Sequence, residues 1–227
     1  MRLRRVYFER CSPGAADPQA ARPQEEAPMV DYLTYYYKRG TEPFRSLSAL
    51  PDEEAIRIME ALCDDTPFGA RFKDPVQYMR NRRQTEQWVR EAFIAKRGRP
   101  REAYPVPMVL GASPWMVKHA PDPDVHGEIR IPLSVFTAYD VSFTYPDSMI
   151  SLWFGREKPA EYYQPEYHGK VFTVSEILSI VESKGLPEEE WETNLPGDLA
   201  PYIEAQVWNH EPLVEYKKQI CGDERSK

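Results

Sequence analysis

Arg82 and Glu86 stand four residues apart in DPVQYMRNRRQTEQWVREAFIAK, residues 74 to 96. On a helix that spacing lets a guanidinium and a carboxylate meet. At roughly 100° per residue, Tyr78, Thr85, Val89, Ala92 and Phe93 fall in one sector, with Met79 and Trp88 at its edges. Arg82 and Glu86 lie inside that sector or on its border, which should face the core. Taking either charge out of water is costly unless it is paired and hydrogen-bonded. Three readings follow, one being a helix rotated so that both residues are solvated. In another, the pair is an internal clamp that ties loops to the helix. In the third, Arg82 lines a cleft and grips an anionic ligand through its planar fork, while Glu86 orients it.

The remaining candidates for chemistry are scattered. His168 sits in EYYQPEYHG, a loop rich in tyrosine, and its ordinary pKa near neutrality suits general acid or base work. Tyr145 is an alternative proton donor. Asp147 and Ser148 follow Pro146 and have a polar turn's usual composition; the alternative is that they project into a cleft at a strand end. Arg83 flanks the pair as a second cation for a ligand. Tyr37, third in a run of three tyrosines, is a candidate ligand contact. With Glu86, the candidate catalytic set is His168, Tyr145 and Glu86. The candidate binding set is Arg82, Arg83, Asp147, Ser148 and Tyr37.

Motifs that would fix the chemistry are missing. The four histidines lack zinc-like spacing, and no dinucleotide fingerprint, P-loop or nucleophile elbow is present. No metal and no cofactor is expected. Asp64 and Asp65 after a helix read as solvated carboxylates.

Several elements must position these groups. Asp74 caps the central helix and Pro75 suits its first position. A second helix runs over PDEEAIRIMEALC, residues 51 to 63, with acids at its positive end and an apolar stripe that Cys63 continues as a packed thiol. Ser113 and Pro114 open a short helix. Thr173 and Glu176 form a capping box before a helix that stops at Gly185. Strands are expected over residues 31 to 38, at a sheet edge with Tyr36 out and Tyr35 and Tyr37 in. Others are expected over 104 to 111, 128 to 136 and 202 to 208. Residues 141 to 145 and 149 to 154 read as a hairpin. Helices and strands thus alternate irregularly. The expected fold is α+β, with a mixed or antiparallel sheet packed against three or four helices. Residues 1 to 28 read as a disordered tail, with Met29 as a possible true start, and 29 to 222 as a single domain.

Composition narrows the function classes. The net charge is −7, which does not suit broad nucleic-acid or membrane binding. No apolar run approaches the ~20 residues that span a bilayer. Three widely spaced cysteines suit a reducing, cytoplasmic location. The expectation is an enzyme or small-ligand binder for an anionic, phosphate-bearing compound. One alternative is a non-catalytic protein-protein interaction module using the loop at 161 to 168. A second is weak nucleic-acid binding through the basic region at 80 to 101.

Overall fold

The computed structural model describes residues 30–66, 69–119, 122, 124–187, 199 and 201–225. The expected tail at 1 to 28, the start at Met29 and most of an acidic turn near 187 to 191 lie outside them. The fold is α+β. Five strands form one antiparallel sheet: β1 (Tyr32–Lys38), β2 (Val106–Leu110), β3 (His126–Pro132), β4 (Val141–Thr144) and β5 (Glu204–Val207), in the order β3-β1-β2-β5-β4. Six α-helices are present among the described residues: α1 (Asp52–Leu62), α2 (Pro75–Ala95), α3 (Pro114–His119), α4 (Ser148–Glu157), α5 (Val174–Lys184) and α6 (Leu213–Arg225).

Helix boundaries follow local chemistry. Asp74 Oδ1 accepts the Gln77 N–H at 2.9 Å and starts α2. The capping box of α5 is formed, and Gly185 ends that helix at φ 77°. Ser113 Oγ accepts the Met116 N–H in α3.

Four expectations are corrected. Residues 149 to 154 are helical, not the second strand of a hairpin. Asp147 Oδ1 accepts the Met149 and Ile150 N–H groups at 3.0 and 3.1 Å, so the polar turn is a helix cap. A six-residue apolar run cannot by itself separate a buried helix from a strand. β1 is not at the edge: it pairs β3 along its length and β2 through Leu33 and Thr34. The strand starting near Glu128 ends at Pro132, and Leu133–Val135 turn into a 3-10 helix. Cys63 is exposed, because it is the C-cap residue where the helix leaves its packing surface.

Residues opposed on neighbouring strands share a face of the sheet. Leu33, Ile131, Leu110, Met108, Ala205, Val207 and Phe143 lie on one face. With Ile177 and Val181 of α5 and Leu213 and Ile220 of α6 they build the largest apolar core. The other face carries Thr34, Ser142, Thr144, Glu204 and Gln206, and all five are buried. α2 lies over this face through Val89 and Phe93, which pack on Trp208. The N-terminus of α4 joins it through a Ser148 N–H bond to Glu204. A smaller apolar cluster of Ala55, Met59, Phe72 and Met79 fastens α1 to the outer side of α2.

The polar face is closed by side chains. Ser142 Oγ donates to Gln206 Oε1 at 2.8 Å, Gln206 Nε2 donates to Thr144 Oγ1 at 2.9 Å, and Trp208 Nε1 donates to Ser142 Oγ at 2.9 Å. Each such bond adds only about 1 kcal/mol net, whereas a buried group left without one costs about 1–3 kcal/mol.

Candidate functional site

Arg82 and Glu86 do meet, and they meet over the polar face. Arg82 Nε lies 3.0 Å from Glu86 Oε1 and donates to Ser48 Oγ at 3.1 Å. Ser48 belongs to a 3-10 turn, Leu47–Ala49, so the pair ties that turn to α2. The clamp is therefore present. It is not sealed: the Arg82 side chain keeps 16% of its exposure, against 6% for Glu86. Glu86 Oε2 is buried and has no hydrogen-bond partner among the described residues. Burial raises the Glu86 pKa, and Arg82 partly offsets this. Burial works against the Arg82 charge, but the Glu86 carboxylate, Tyr78 and Glu204 outweigh it and hold the guanidinium charged.

Three more segments complete the cluster. Tyr78, one turn before Arg82, has its hydroxyl in hydrogen-bonding reach of both Arg82 and Arg71. Arg71 comes from a second 3-10 turn, Gly69–Phe72. Burial disfavours its charge, and Tyr78, Tyr202 and Asp147 more than compensate. Asp147 caps α4, and the Arg71 charge favours its carboxylate, although burial outweighs this and raises its pKa. Glu204 on β5 accepts the Ser148 N–H through Oε2 at 2.6 Å. Burial first, then the Asp147 charge, push the Glu204 carboxyl up to about 7, against the pull of the Ser148 N–H and Arg82. Tyr202, just before β5, is held well above the ordinary phenol value by burial and by the two carboxyls. Arg71, Tyr78, Arg82, Asp147 and Tyr202 are partly exposed while Glu86 and Glu204 are buried, so the cluster reaches solvent on one side.

Of the residues expected from sequence, Arg82, Glu86, Asp147 and Ser148 converge here. Arg83 does not. Its Nη1 pairs with Asp52 Oδ1 at 2.7 Å and its Nη2 donates to Leu50 O, so it fastens α1 to α2. Arg83 also borders a separate shallow depression of about 500 Å³ with Gln87, Arg90 and Tyr104. Tyr37 lies on the opposite, apolar face of the sheet, stacked on Tyr35 at 6.0 Å. Tyr145 is buried in the apolar core, edge-on to Tyr167.

His168 is not a surface loop residue; it is 3% exposed. Its ring packs against Phe154 at 4.8 Å and Tyr145 at 6.2 Å. Nδ1 accepts the Gln164 N–H at 3.0 Å. Burial lowers its pKa to about 4, so the imidazole is neutral at neutral pH. An aromatic loop closing on itself, rather than reaching out, produces this.

Sequence reasoning missed Arg71, Tyr202 and Glu204. The available signal was the polar half of YIEAQVW, where Tyr202, Glu204 and Gln206 alternate with Ile203, Ala205 and Val207. Among the described residues, no group of three or more histidine, cysteine or acidic side chains is placed to hold a metal ion. No helix among them is long and apolar enough to cross a membrane. Compared with known proteins, the chain matches no family model, no curated protein and no solved structure.

Proposed function

We propose that the protein is an enzyme or small-ligand binder for an anionic compound, phosphate esters included, and that its site is the cluster around Arg71, Arg82, Asp147 and Glu204. The observation that carries this reading is the convergence of two partly exposed guanidiniums on the half-buried Asp147 and buried Glu204 carboxyls, supplied by separate segments of the chain. Guanidiniums bind carboxylate and phosphate oxygens through paired donors. A carboxyl whose pKa lies near neutrality is fit to give or take a proton at working pH, and strongly shifted groups of this kind cluster at functional sites. In this reading the proton role passes from His168 and Tyr145 to Glu204. Among the described residues, Cys63 and Cys221 are free thiols, which supports a reducing, cytoplasmic location.

The alternatives draw less support. Tyr167 and His168 turn inward, which removes part of the docking loop at 161 to 168. Lys96 is engaged by Glu176 and Arg101 by Glu211, which draws cations away from a nucleic-acid face.

The test is a thermal-shift screen against inorganic phosphate, nucleotides and sugar phosphates, followed by calorimetry. A ligand at about 100 times its Kd stabilises by about 2.7 kcal/mol. The expected result is a compound whose shift disappears in Arg71→Met and in Arg82→Met, each still unfolding cooperatively. A shift retained in both variants contradicts the site, and no binding by any of these anions contradicts the function.

A further inference from the structure

This inference rests on the anion-site reading above and concerns how the site handles charge. Arg82 is paired with Glu86 at 3.0 Å. Arg71 and Asp147 each favour the other's charge. Glu204 is the third carboxyl beside two guanidiniums that are already matched. It is 8% exposed, and its Oε2 is taken by the Ser148 N–H. The groups facing it come from every neighbouring element. Arg82 arrives from α2, Asp147 and Ser148 from the start of α4, and Tyr202 from its own chain segment. The opposed residues Thr144 on β4 and Val109 on β2 carry no charge. Arg71 from the 3-10 turn acts on Asp147 and Tyr202, and Tyr78 and Glu86 of α2 act on Arg82.

Among the described residues, with every carboxyl ionised, Glu86, Asp147 and Glu204 stand against Arg71 and Arg82, while Arg83, which also acts on Glu86, is matched by Asp52. An incoming anion would meet a net negative floor, poorly screened because it is buried. A network built only for stability would also close on itself. Here Glu86 Oε2, on a side chain 94% buried by the 6% exposure it keeps, is left without a partner among the described residues. One proton on the Asp147 and Glu204 carboxyls removes the mismatch, since neighbouring carboxyls resist ionising together. The Ser148 N–H donates to Glu204 Oε2 and the Ser148 hydroxyl also bonds this carboxyl, so the proton would sit on an acid whose nearest polar partner is neutral. The neutral acid then offers an O–H to an oxyanion held by the guanidiniums.

We propose that an oxyanion binds this site together with one proton, taken up by the Asp147–Glu204 carboxyl pair, so that binding tightens as pH falls. The proton comes from solvent and returns to it when the ligand leaves; no covalent bond is made or broken.

Sulfate is the probe, because it has no proton to exchange near neutrality and any proton taken up belongs to the protein. Calorimetry of the full chain between about pH 6 and about pH 8.5, in two buffers of different protonation heat, reads both affinity and protons. The expected result is affinity falling by up to about tenfold per pH unit above neutrality, with uptake of about one proton. Glu204→Gln should flatten the profile and bind at the alkaline end as wild type does at the acid end. Asp147→Asn, which keeps a helix-capping side chain, should move the break in the profile to lower pH. Sulfate binding that needs Arg82 but is equal at both ends of the range, or a slope that survives Glu204→Gln, overturns the coupling and leaves the anion site standing. Failure of both sulfate and phosphate esters to bind at any pH overturns the anion site, and the coupling falls with it.

Discussion

The two faces of the sheet are both buried, yet they are built from opposite chemistry. On β5, Ala205 and Val207 face the apolar core with α5 and α6, while Glu204 and Gln206 face α2 and the start of α4. The apolar face needs only volume and fit, and burying a residue such as Phe143 there stabilises by about 1.5–3 kcal/mol. The polar face needs every donor matched to an acceptor, and its net gain per bond is smaller. Its Ser142, Gln206, Thr144 and Trp208 end meets that demand. Among the described residues, the end where Arg82, Glu86, Asp147 and Glu204 gather does not, because the buried Glu86 Oε2 has no hydrogen-bond partner. Stability therefore resides mainly on one side of the sheet and the proposed site on the other.

The largest expected effect is on the apolar side. Phe143→Ala should cost about 3–5 kcal/mol in denaturant unfolding, as for other large core truncations. A smaller loss than any polar-face variant would refute the division. Next comes pH. The folded-state pKa of Glu204 lies above its ordinary 4.5, at about 7. The folded protein thus keeps a proton that the unfolded chain has lost. This group's stabilisation is complete below pH 4.5 and is lost as pH rises to about 7, by no more than about 3 kcal/mol. His168 acts in the other direction: its pKa is lowered from 6.5 to about 4, so its contribution is present above 6.5 and lost as pH falls toward 4. Unfolding across this range should show Glu204→Gln shrinking the first arm, to which the raised Glu86 and Asp147 carboxyls also contribute, and leaving the second unchanged. A change in both arms, or in neither, would mean that the carboxyl is not the titrating group.

Arg82→Met leaves Glu86 buried and unpaired, and should cost about 2–3 kcal/mol, at the low end for buried pairs because the guanidinium is partly solvated. The double variant Arg82→Met with Glu86→Leu should recover most of that loss. If it recovers none, the pair is not coupled. Gln206→Ala should be mildest, about 1–2 kcal/mol, since it strips partners from Ser142 and Thr144 but leaves room for relaxation.

Much of the scaffold was readable from residue order. The caps at Asp74 and Thr173 and the stop at Gly185 are local signals, and the structure uses each of them. The helix at Ser148–Glu157 was misread because a capping Asp147 and a turn Asp147 look alike until the next residues commit. Arg82 with Glu86 was legible because i, i+4 spacing is local. Glu204 was not. A polar residue on an alternating strand reads as solvent-facing, and only the placement of α2 over that face buries it. Arg71 lies in a short 3-10 turn with no periodicity to read. The misplacement of His168 has the same origin: nothing in a tyrosine-rich loop says that Phe154 will be its floor.

The decisive measurement is an NMR titration of ¹³C-labelled glutamate side-chain carboxyls, with Glu204→Gln supplying the assignment. A Glu204 midpoint near 7, falling when Asp147 is replaced by Asn, is the result expected here. A midpoint at the ordinary value of 4.5, unmoved by that replacement, would mean that the polar face is solvated in solution and holds no acid-base site.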